Sequence, residues 1–394
     1  MTVAGEARAD GLRVGLRTIV REWGRIGCIG FGGPPTHIAL LRQLCVERRG
    51  WIAAEEFEDG IAATNLLPGP ASTQLAIFSA WRLRGLAGAV VGGVCFIAPG
   101  LVLILALAAL FLAESPPLWV RGAAAGAGSA VAAVAVQAAW SLVPASWKRA
   151  GPARSARTRW IGYGLAGGVA AALIGPWLVL VLIAAGLVEV TVRAGVGPRA
   201  VRRIRAWPVL AAAPAAGGGL PALAWVALKV GALSYGGGFV IIPLMQADSV
   251  DRYHWMSDGQ FLNAVALGQI TPGPVVHTVA VVGYAAAGVG GGLLAAAVAF
   301  TPSFLFVILG GPRFDRLRAN PRVQAFLTGA GPAVIGAIAG SAIPLALALQ
   351  HPWQFGVLAA AAIWLLAARC GVVSALLGSG VLGVVAALAG WPVT

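Results

Sequence analysis

The sequence predicts an all-α polytopic membrane protein made of two homologous halves. Of its 394 residues, 59% are hydrophobic and 11% are charged, and the mean hydropathy is +0.84. Its apolar runs exceed the roughly 18 to 20 residues that cross a bilayer, and an open sheet edge cannot be satisfied in lipid. The 55 glycines suit membrane helices that approach closely through small residues. We expect about 10–14 membrane helices, some of them broken or re-entrant.

The positive charge is explained by membrane topology rather than by nucleic acid. The net charge is +14, but the basic residues lie in short loops and at helix ends, without interleaved aromatic residues or a soluble domain. The N-terminus lacks the pattern of a cleaved signal peptide, so we expect the first helix to be retained. The lipid bilayer and a small substrate are the expected partners, and a homodimer stays open.

Motifs of several enzyme classes are absent. The sequence has no GxxxxGKS/T, no HExxH and no nucleophile elbow, so neither a nucleotide nor a hydrolase site is expected. Its four cysteines have no CxxC spacing and its four histidines have no ligand spacing, so we predict no metal and no cofactor. The chain is therefore not expected to be an enzyme.

A repeat with an offset of 204 residues relates the two halves. FGG at residues 31–33 matches YGG at residues 235–237, and Pro-Gly-Pro occurs at residues 68–70 and 272–274. After a slip to an offset of 203, Pro99 pairs with Pro302, and GAGSAV at 126–131 pairs with GAGPAV at 329–334. We predict an N-terminal repeat at residues 1–192, a basic linker at 193–205 and a C-terminal repeat at 206–394.

Charges in equivalent loops predict that the halves have opposite orientations. The first loop of the pair, residues 111–119, contains no Lys or Arg, and its counterpart at residues 313–322 contains four Arg. The next loop, residues 147–160, contains five basic residues, and its counterpart at residues 350–354 contains none. This reversal indicates an inverted repeat. The basic linker fits that topology only if the chain forms a hairpin at Gly175 and Pro176; otherwise the linker breaks the rule.

The two Pro-Gly-Pro motifs predict breaks between short helices. Residues 55–65 and 71–84 should each be too short to cross about 30 Å of hydrocarbon at 1.5 Å per residue. Pro70 and Pro274 would start the second piece of each pair and leave the amides of residues 71–73 and 275–277 unpaired. Because inverted repeats bring such breaks together near the midplane, we predict one site for a small anion. The alternative is a plain turn whose hydroxyls cap helices.

Polar and glycine-rich residues around these motifs are the substrate-binding candidates. Hydroxyl, amide and imidazole groups suit oxyanion oxygens. Glycine-rich helix ends form either an amide nest for an anion or a close helix contact. A cation at membrane depth either faces the substrate or snorkels to the interface. The candidates are Arg25, Gly32, Gly33, Asn65, Pro68, Gly69, Pro70, Ser72, Thr73, Lys229, Gly236, Gly237, Gln269, Thr271, Pro272, Gly273, Pro274, His277 and Thr278.

Glu56 and Asp59 are the candidate proton-coupling residues. The second half has Gln260 and Asn263 at their positions, an asymmetry that suits a single proton site. The alternative is a solvated helix entry. Among the histidines we interpret His277 alone as placed to sense substrate or proton; His37, His254 and His351 are expected in loops or at the interface.

Several long motifs resemble the chromate ion transporter family. They are FGGPPTHIALL, WIAAEEFEDGIAATNLLPGPASTQLA and FIAPG in the first half, and SYGGGFVIIPLMQ and WMSDGQFLNAVALGQITPGPVVHT in the second. The likeness covers both halves, as in the long-chain, two-domain form of the family. It implies a multi-pass protein of the bacterial inner membrane that exports chromate, uses ion gradients rather than ATP, and treats sulfate as a related dianion. The family's basic residue in the first helix carries over onto Arg25.

The leading hypothesis is a secondary transporter that binds a tetrahedral dianion between two broken helix pairs and works by alternating access. Chromate and sulfate share shape and charge, so the sequence does not separate them. One alternative is a passive anion channel, which would need no coupling ion. Others are a transporter of a different oxyanion and an intramembrane reductase, which would need a redox centre.

Overall fold

The fold is helical throughout the residues that the computed structural model describes, which are 14–64, 67, 69–173, 178–193, 218–234, 241–310 and 319–393. The all-α prediction is confirmed for these ranges. Numbered in chain order, their helices are α1 (Leu16–Ile29), α2 (Pro34–Arg42), α3 (Ala54–Thr64), α4 (Ala71–Phe111), α5 (Leu118–Ala150), α6 (Arg154–Leu173), α7 (Leu178–Arg193), α8 (Leu220–Leu233), α9 (Ile241–Gln246), α10 (Asp258–Ile270), α11 (Thr278–Gly310), α12 (Pro321–Leu347), α13 (Pro352–Ala362) and α14 (Val372–Leu388).

Several of these helices have the length and apolarity of membrane spans. In the described ranges these are α4, α5, the segment Val275–Gly310 that contains α11, and α12; α8, α14 and the segment Pro352–Ala367 are shorter and also apolar. Large apolar side chains point outward, such as Val102 at 69% exposure and Leu165 at 66%. An outer surface of this kind belongs in lipid rather than in water. The protein is a multi-pass membrane protein, and the number of crossings stays a prediction.

The fourteen described helices form two series of seven, and the first five of each series follow the sequence repeat. Helices α1 and α8 begin at residues 16 and 220, and α3 and α10 begin at residues 54 and 258, so both pairs keep the offset of 204. Irregular structure recurs as well, because the π-helical turn Gln43–Arg48 after α2 corresponds to Ala247–Arg252 after α9. Equivalent sequence therefore produces equivalent local structure, down to the departures from regular α-helix.

Helices α4 and α11 each fold back on themselves. Two consecutive residues leave the helical conformation in each, and the second of them is Gly85 in α4, with φ +60°, and Gly288 in α11, with φ +62°. Glycine adopts such positive φ angles without the penalty that a Cβ brings. In α11 the two pieces then pack so closely that Gly283 and Gly291 meet backbone to backbone. The short piece that follows each Pro-Gly-Pro motif thus returns along the long piece.

Close glycine contacts give the relative direction of helices from different halves. Gly164 and Gly168 on α6 lie against Gly336 and Gly340 on α12, respectively. Because the residue numbers rise together, α6 and α12 run parallel.

Helices α5 and α6, in contrast, form an antiparallel hairpin. The indole of Trp160 donates a hydrogen bond of 2.9 Å to the Ser146 hydroxyl across the short loop between them. Because α6 is parallel to α12, the equivalent helices α5 and α12 run in opposite directions. This supports the inverted arrangement, which stays a prediction for the orientation in the membrane.

A buried carboxylate joins the ends of α6 and α7. Glu189, which is 2% exposed, accepts hydrogen bonds from Arg159 Nε at 2.8 Å, from Tyr163 at 3.2 Å and from Arg193 Nε at 2.8 Å. The end of α7 therefore lies beside the start of α6, as the hairpin alternative requires. The predicted turn at residues 175–176 and nearly all of the predicted linker lie outside the described residues.

We expect Gly167→Ala to lower the melting temperature of the detergent-solubilised protein. A Cβ at Gly167 on α6 would lie 1.9 Å from the Ala333 carbonyl oxygen on α12, and overpacking costs about 1–3 kcal/mol. The control is Gly162→Ala on the same helix, where a Cβ meets open space and alanine raises helix propensity by about 1 kcal/mol. Equal melting temperatures of the two variants would contradict this close contact.

Candidate functional site

The first Pro-Gly-Pro turn lies at the junction of the two halves. Gly69 has φ +121°, and its amide donates a 2.9 Å hydrogen bond to the carbonyl of Ser234, the C-cap of α8. A Cβ on Gly69 would lie 2.3 Å from the Gln74 amide nitrogen and 3.1 Å from Ser303 Oγ. Pro70 is the N-cap of α4 rather than its first residue, because its ψ of 102° is extended. The turn is therefore enclosed by residues of both halves.

The second Pro-Gly-Pro turn makes the reciprocal contact. Gly273 has φ +94°, and its amide donates a 3.0 Å hydrogen bond to the carbonyl of Gly30, the C-cap of α1. Gly30 and Ser234 are 204 residues apart, and so are Gly69 and Gly273. The two hydrogen bonds are thus related by the repeat, and each half closes its turn against the first helix of the other half.

The long helices α4 and α11 complete the enclosure. A Cβ on Gly100 of α4 would lie 2.2 Å from the Pro272 carbonyl oxygen and 2.7 Å from the His277 ring. Ser303 stands at the equivalent position of α11 and faces Gly69 instead. Each turn is therefore covered by the long helix of the other half, and only a small residue fits at the point of contact.

His37 is a central residue of this region, contrary to the expectation of a loop or interface position. It lies on α2, is fully buried, and places Nε2 2.8 Å from the Gly30 carbonyl oxygen and Nδ1 3.2 Å from Ser72 Oγ. Its ring also contacts the edge of Phe96, with 5.1 Å between centroids. The prediction was wrong because a helix begins at Pro34, within a motif whose glycines and prolines resemble a loop.

Buried polar side-chain atoms without a hydrogen-bond partner gather on and around the two turns. A buried donor or acceptor left unpaired costs about 1–3 kcal/mol, so each such group needs an explanation, such as a ligand. Both halves contribute: the atoms are Thr73 Oγ1, Ser234 Oγ, Gln269 Nε2, both ring nitrogens of His277, and Ser303 Oγ. The carbonyl of Ile97 interacts with the His277 ring but falls outside hydrogen-bond geometry. All five side chains are at least nine-tenths buried.

Backbone amides are free at both turns, but fewer at the second than predicted. At the first turn the Gln74 amide is the first to bond back, to Pro70, which leaves the amides of residues 71–73 at the helix N-terminus. At the second turn residues 275–277 form a 3₁₀ turn, and the amide of His277 donates to the Pro274 carbonyl at 2.9 Å. The expectation of a free amide at His277 was therefore wrong.

Two of the predicted hydroxyl ligands donate to their own backbone. Thr271 Oγ1 donates to the Leu267 carbonyl and Thr278 Oγ1 to the Val275 carbonyl, each at 2.9 Å. The hydroxyls of these two residues therefore bond to helix backbone, as in the alternative in which the turn hydroxyls cap helices. Their role as substrate ligands stays a prediction.

The two predicted counter-charges, Arg25 and Lys229, are each paired with a carboxylate. Lys229 forms a salt bridge with the buried Asp248. Arg25 lies 3.5 Å from Glu22, which is itself buried and also pairs with Arg49 at 3.5 Å. In this conformation both cations are therefore neutralised locally, and their contact with substrate stays a prediction.

The remaining candidates are spread over the surface or lie beyond the described ranges. Glu56 is half-buried and pairs with Arg82, and Asp59 is exposed, so the role of these two residues in proton coupling stays a prediction. Gly32 and Gly33 both have positive φ, +98° and +75°, in the tight turn before α2. The predicted ligands that lie outside the described residues are Asn65, Pro68, Gly236 and Gly237.

A cavity of about 220 Å³ reaches the first turn. Gly69 and Ala71 line its inner end, and Gly331 of α12 and Arg149 of α5 line it as well. Arg149 is exposed, lies in the last turn of α5, and belongs to the basic segment 147–160. A cation therefore stands in the cavity that leads to the free amides of α4.

A second cavity, of about 270 Å³, occupies the related position in the other half. Its lining residues Gly128 and Ala348 are the repeat equivalents of Gly331 and Ala145, which line the first cavity. Gly273 is not among its lining residues. Among the described residues, the lining of the first cavity includes its Pro-Gly-Pro turn and the lining of the second does not.

Comparison with known proteins identifies the family. A family model described as chromate transporter matches this chain at residues 17–190 and 221–384. The chain belongs to the chromate transporter family. No solved structure matches it.

Curated relatives of this transporter match it over most of their length. A chromate transport protein of Cupriavidus metallidurans is 34% identical, with 84% of this chain and 82% of the relative covered. A chromate transport protein of Pseudomonas aeruginosa is 31% identical, with 82% and 79% covered. A probable chromate transport protein of Synechococcus elongatus is 27% identical, with 85% and 86% covered.

Sequence analysis missed several residues that the structure places at the turns of this transporter. They are Gly30, His37, Gly100, Ser234 and Ser303. A signal for two of them was present, since Gly100 directly follows Pro99 and Ser303 directly follows Pro302, the repeated prolines. The signal for the others depends on contacts between the halves, which sequence spacing does not encode.

We expect Gly69→Ala to reduce chromate uptake by everted membrane vesicles at least about tenfold, a loss of about 1.4 kcal/mol in transition-state stabilisation. Alanine at this position would be strained because φ is positive, and its Cβ would also lie less than 3.2 Å from atoms of Gln74 and Ser303. Gly151→Ala is the matched control, because Gly151 also has positive φ, +93°, but faces open space. Equal losses in both variants, at equal amounts of protein in the membrane, would show that strain alone is responsible.

Proposed function

We propose that this protein is a secondary active transporter that exports chromate, or a related tetrahedral oxyanion such as sulfate, across the bacterial inner membrane. Transport occurs by alternating access and is driven by an electrochemical ion gradient. The observation that carries the proposal is the set of unpartnered buried polar atoms at two turns that are joined reciprocally across the halves. The named relatives and the family model support chromate as the substrate.

The chemistry of the turns suits a small anion. The free amides at the start of α4 carry the positive end of a helix dipole, and hydroxyl, amide and imidazole groups from both halves supply further donors. The unpartnered set at the turns includes no carboxylate oxygen. A dianion bound there would satisfy groups that are otherwise costly to bury.

The opposite directions of α5 and α12 support an inverted repeat, the architecture that alternating access commonly uses. The division into repeats at residues 1–192 and 206–394 with a linker at 193–205 is part of this proposal, and the two series of seven helices support it. The broken pairs α3–α4 and α10–α11 would meet at the substrate.

The difference between the two cavities favours a transporter over a passive channel. A channel would need continuous access to the site from both sides, whereas in the described residues one cavity reaches its turn and its equivalent does not. The first cavity opens beside Arg149, in a loop with five basic residues. By the positive-inside rule this loop is cytoplasmic, so the conformation is open to the cytoplasm, the side from which an exporter takes its substrate.

The first experiment measures labelled chromate uptake into everted vesicles, with the pH gradient and the membrane potential set independently by ionophores. Uptake that depends on the imposed gradient, and that unlabelled sulfate reduces, would support a coupled oxyanion transporter. Uptake that proceeds equally in the absence of any coupling gradient would favour the channel. No uptake by vesicles that contain folded protein would remove chromate as substrate.

We expect Arg149→Gln to raise the apparent KM for chromate about three- to tenfold, because a cation in an anion-conducting cavity raises the local substrate concentration. The control is Arg154→Gln, which removes the same charge from the same loop outside the cavity lining. The difference between the variants should shrink at high salt, which screens such attraction. Identical KM values for the two variants would contradict a collecting role for Arg149.

A further inference from the structure

We propose that His37 couples one proton to anion binding by controlling the direction in which the Ser72 hydroxyl donates its hydrogen bond. The inference rests on the proposed function and deepens it, because it names the group that carries the coupling proton. It stands on three neighbouring groups, namely the Gly30 carbonyl, the His37 ring and the Ser72 hydroxyl.

The Gly30 carbonyl determines which ring nitrogen carries hydrogen. It lies 2.8 Å from His37 Nε2, and a carbonyl oxygen accepts and cannot donate. The same oxygen also accepts the amide of Gly273 at 3.0 Å, so both of its lone pairs are in use. The hydrogen of the neutral ring is therefore on Nε2, and Nδ1 carries a lone pair.

The neutral ring commits the Ser72 hydroxyl to itself. Nδ1 lies 3.2 Å from Ser72 Oγ, and a lone pair on Nδ1 requires Ser72 to be the donor. Ser72 lies in the first turn of α4, beside the free amides. With its hydrogen directed at His37, the hydroxyl presents only lone pairs toward an anion at this helix terminus and repels it.

Protonation reverses this arrangement. When Nδ1 takes up a proton it becomes a donor to Ser72 Oγ, and the hydroxyl hydrogen is free to point toward the anion. The imidazolium also adds a positive charge close to the site. Because protonation favours anion binding, anion binding favours protonation to the same extent.

No other charge takes over this role in the described surroundings of His37. In the described residues the neighbouring charged groups include the pairs Glu22 with Arg25 and Arg49, Arg42 with Glu47 and Glu58, and Glu56 with Arg82. Arg17, Arg21, Arg48 and Arg84 lie on the same elements, and none of these groups hydrogen-bonds to the His37 ring. The titratable group of the other half that feels the charge of His37 is His277. His37 hydrogen-bonds to no carboxylate.

The second half has no equivalent of this switch. Ile241 stands at the position of His37 and Val276 at that of Ser72, and both are buried. This switch therefore adds one proton to each bound anion. A dianion that leaves with one proton carries a single net negative charge outward; an inside-negative membrane potential drives that movement, and an alkaline-inside pH gradient opposes it.

The test measures binding of labelled sulfate, which stays a dianion throughout, to the purified, full-length transporter in lipid nanodiscs between about pH 5 and pH 8, where histidine titrates. Binding of labelled chromate is measured at the upper end of this range, because chromate itself takes up a proton in the lower part. For the wild type we expect affinity to fall as pH rises, approaching about tenfold per pH unit once the ring is neutral, as linkage to one proton requires. His37→Gln should bind with an affinity that changes little across this range.

Further variants separate a switch from a merely structural role. Ser72→Ala removes the hydroxyl while keeping the imidazole, and we expect it to flatten most of the pH dependence; Ser72→Thr, which restores a hydroxyl, should recover it. His254→Asn, which changes an exposed histidine, should keep the full dependence. Ser72→Ala also serves if His37→Gln fails to fold.

The outcomes distinguish the inference from the proposed function. Anion binding by the wild type that does not depend on pH, or full pH dependence in Ser72→Ala, overturns the proton switch and leaves an oxyanion transporter in place. Folded wild-type protein that binds neither anion at any pH overturns the proposed function and, with it, the switch.

Discussion

Two backbone hydrogen bonds hold the centre of this protein together, and the candidate site depends on them. The amide of Gly69 donates to the Ser234 carbonyl, and the amide of Gly273 donates to the Gly30 carbonyl. Each bond joins a turn of one half to the end of the first helix of the other. Because a helix C-terminus has carbonyls without intrahelical partners, each bond gives such a carbonyl a partner from the other half. The turns are thereby fixed at the contact between the halves, so a movement of one half against the other would change the geometry of the turns directly.

The symmetry of the backbone is broken by a few side chains. Gly100 on α4 and Ser303 on α11 occupy equivalent positions and cover opposite turns, and Thr73 stands where the second half has His277. The first turn therefore presents more free amides, and the second presents an imidazole. A tetrahedral dianion has enough oxygen atoms to use both sets at once, which is consistent with a single site assembled from two unequal parts.

Local features of this fold could be predicted from the sequence, and long-range contacts could not. The ends of α3 and the reversal at Gly85 follow from proline and glycine, whose effects are local, and the repeat carries the same features to the second half. His37 was misplaced because its burial depends on Gly30, Ser72 and Phe96, which are brought together only by tertiary packing. The 3₁₀ turn before α11 was missed for a related reason, since small changes of ψ after a proline decide between a 3₁₀ and an α-helical start.

The glycine contacts between α6 and α12 have a mechanical consequence. Where Gly164 and Gly168 meet Gly336 and Gly340, backbone rests on backbone and no side chains interdigitate. At such a contact one helix can slide or pivot along the other without any side chain having to change its rotamer. Movement of α6 along α12 then meets little steric resistance, whereas a single added methyl group at one of these glycines would block it.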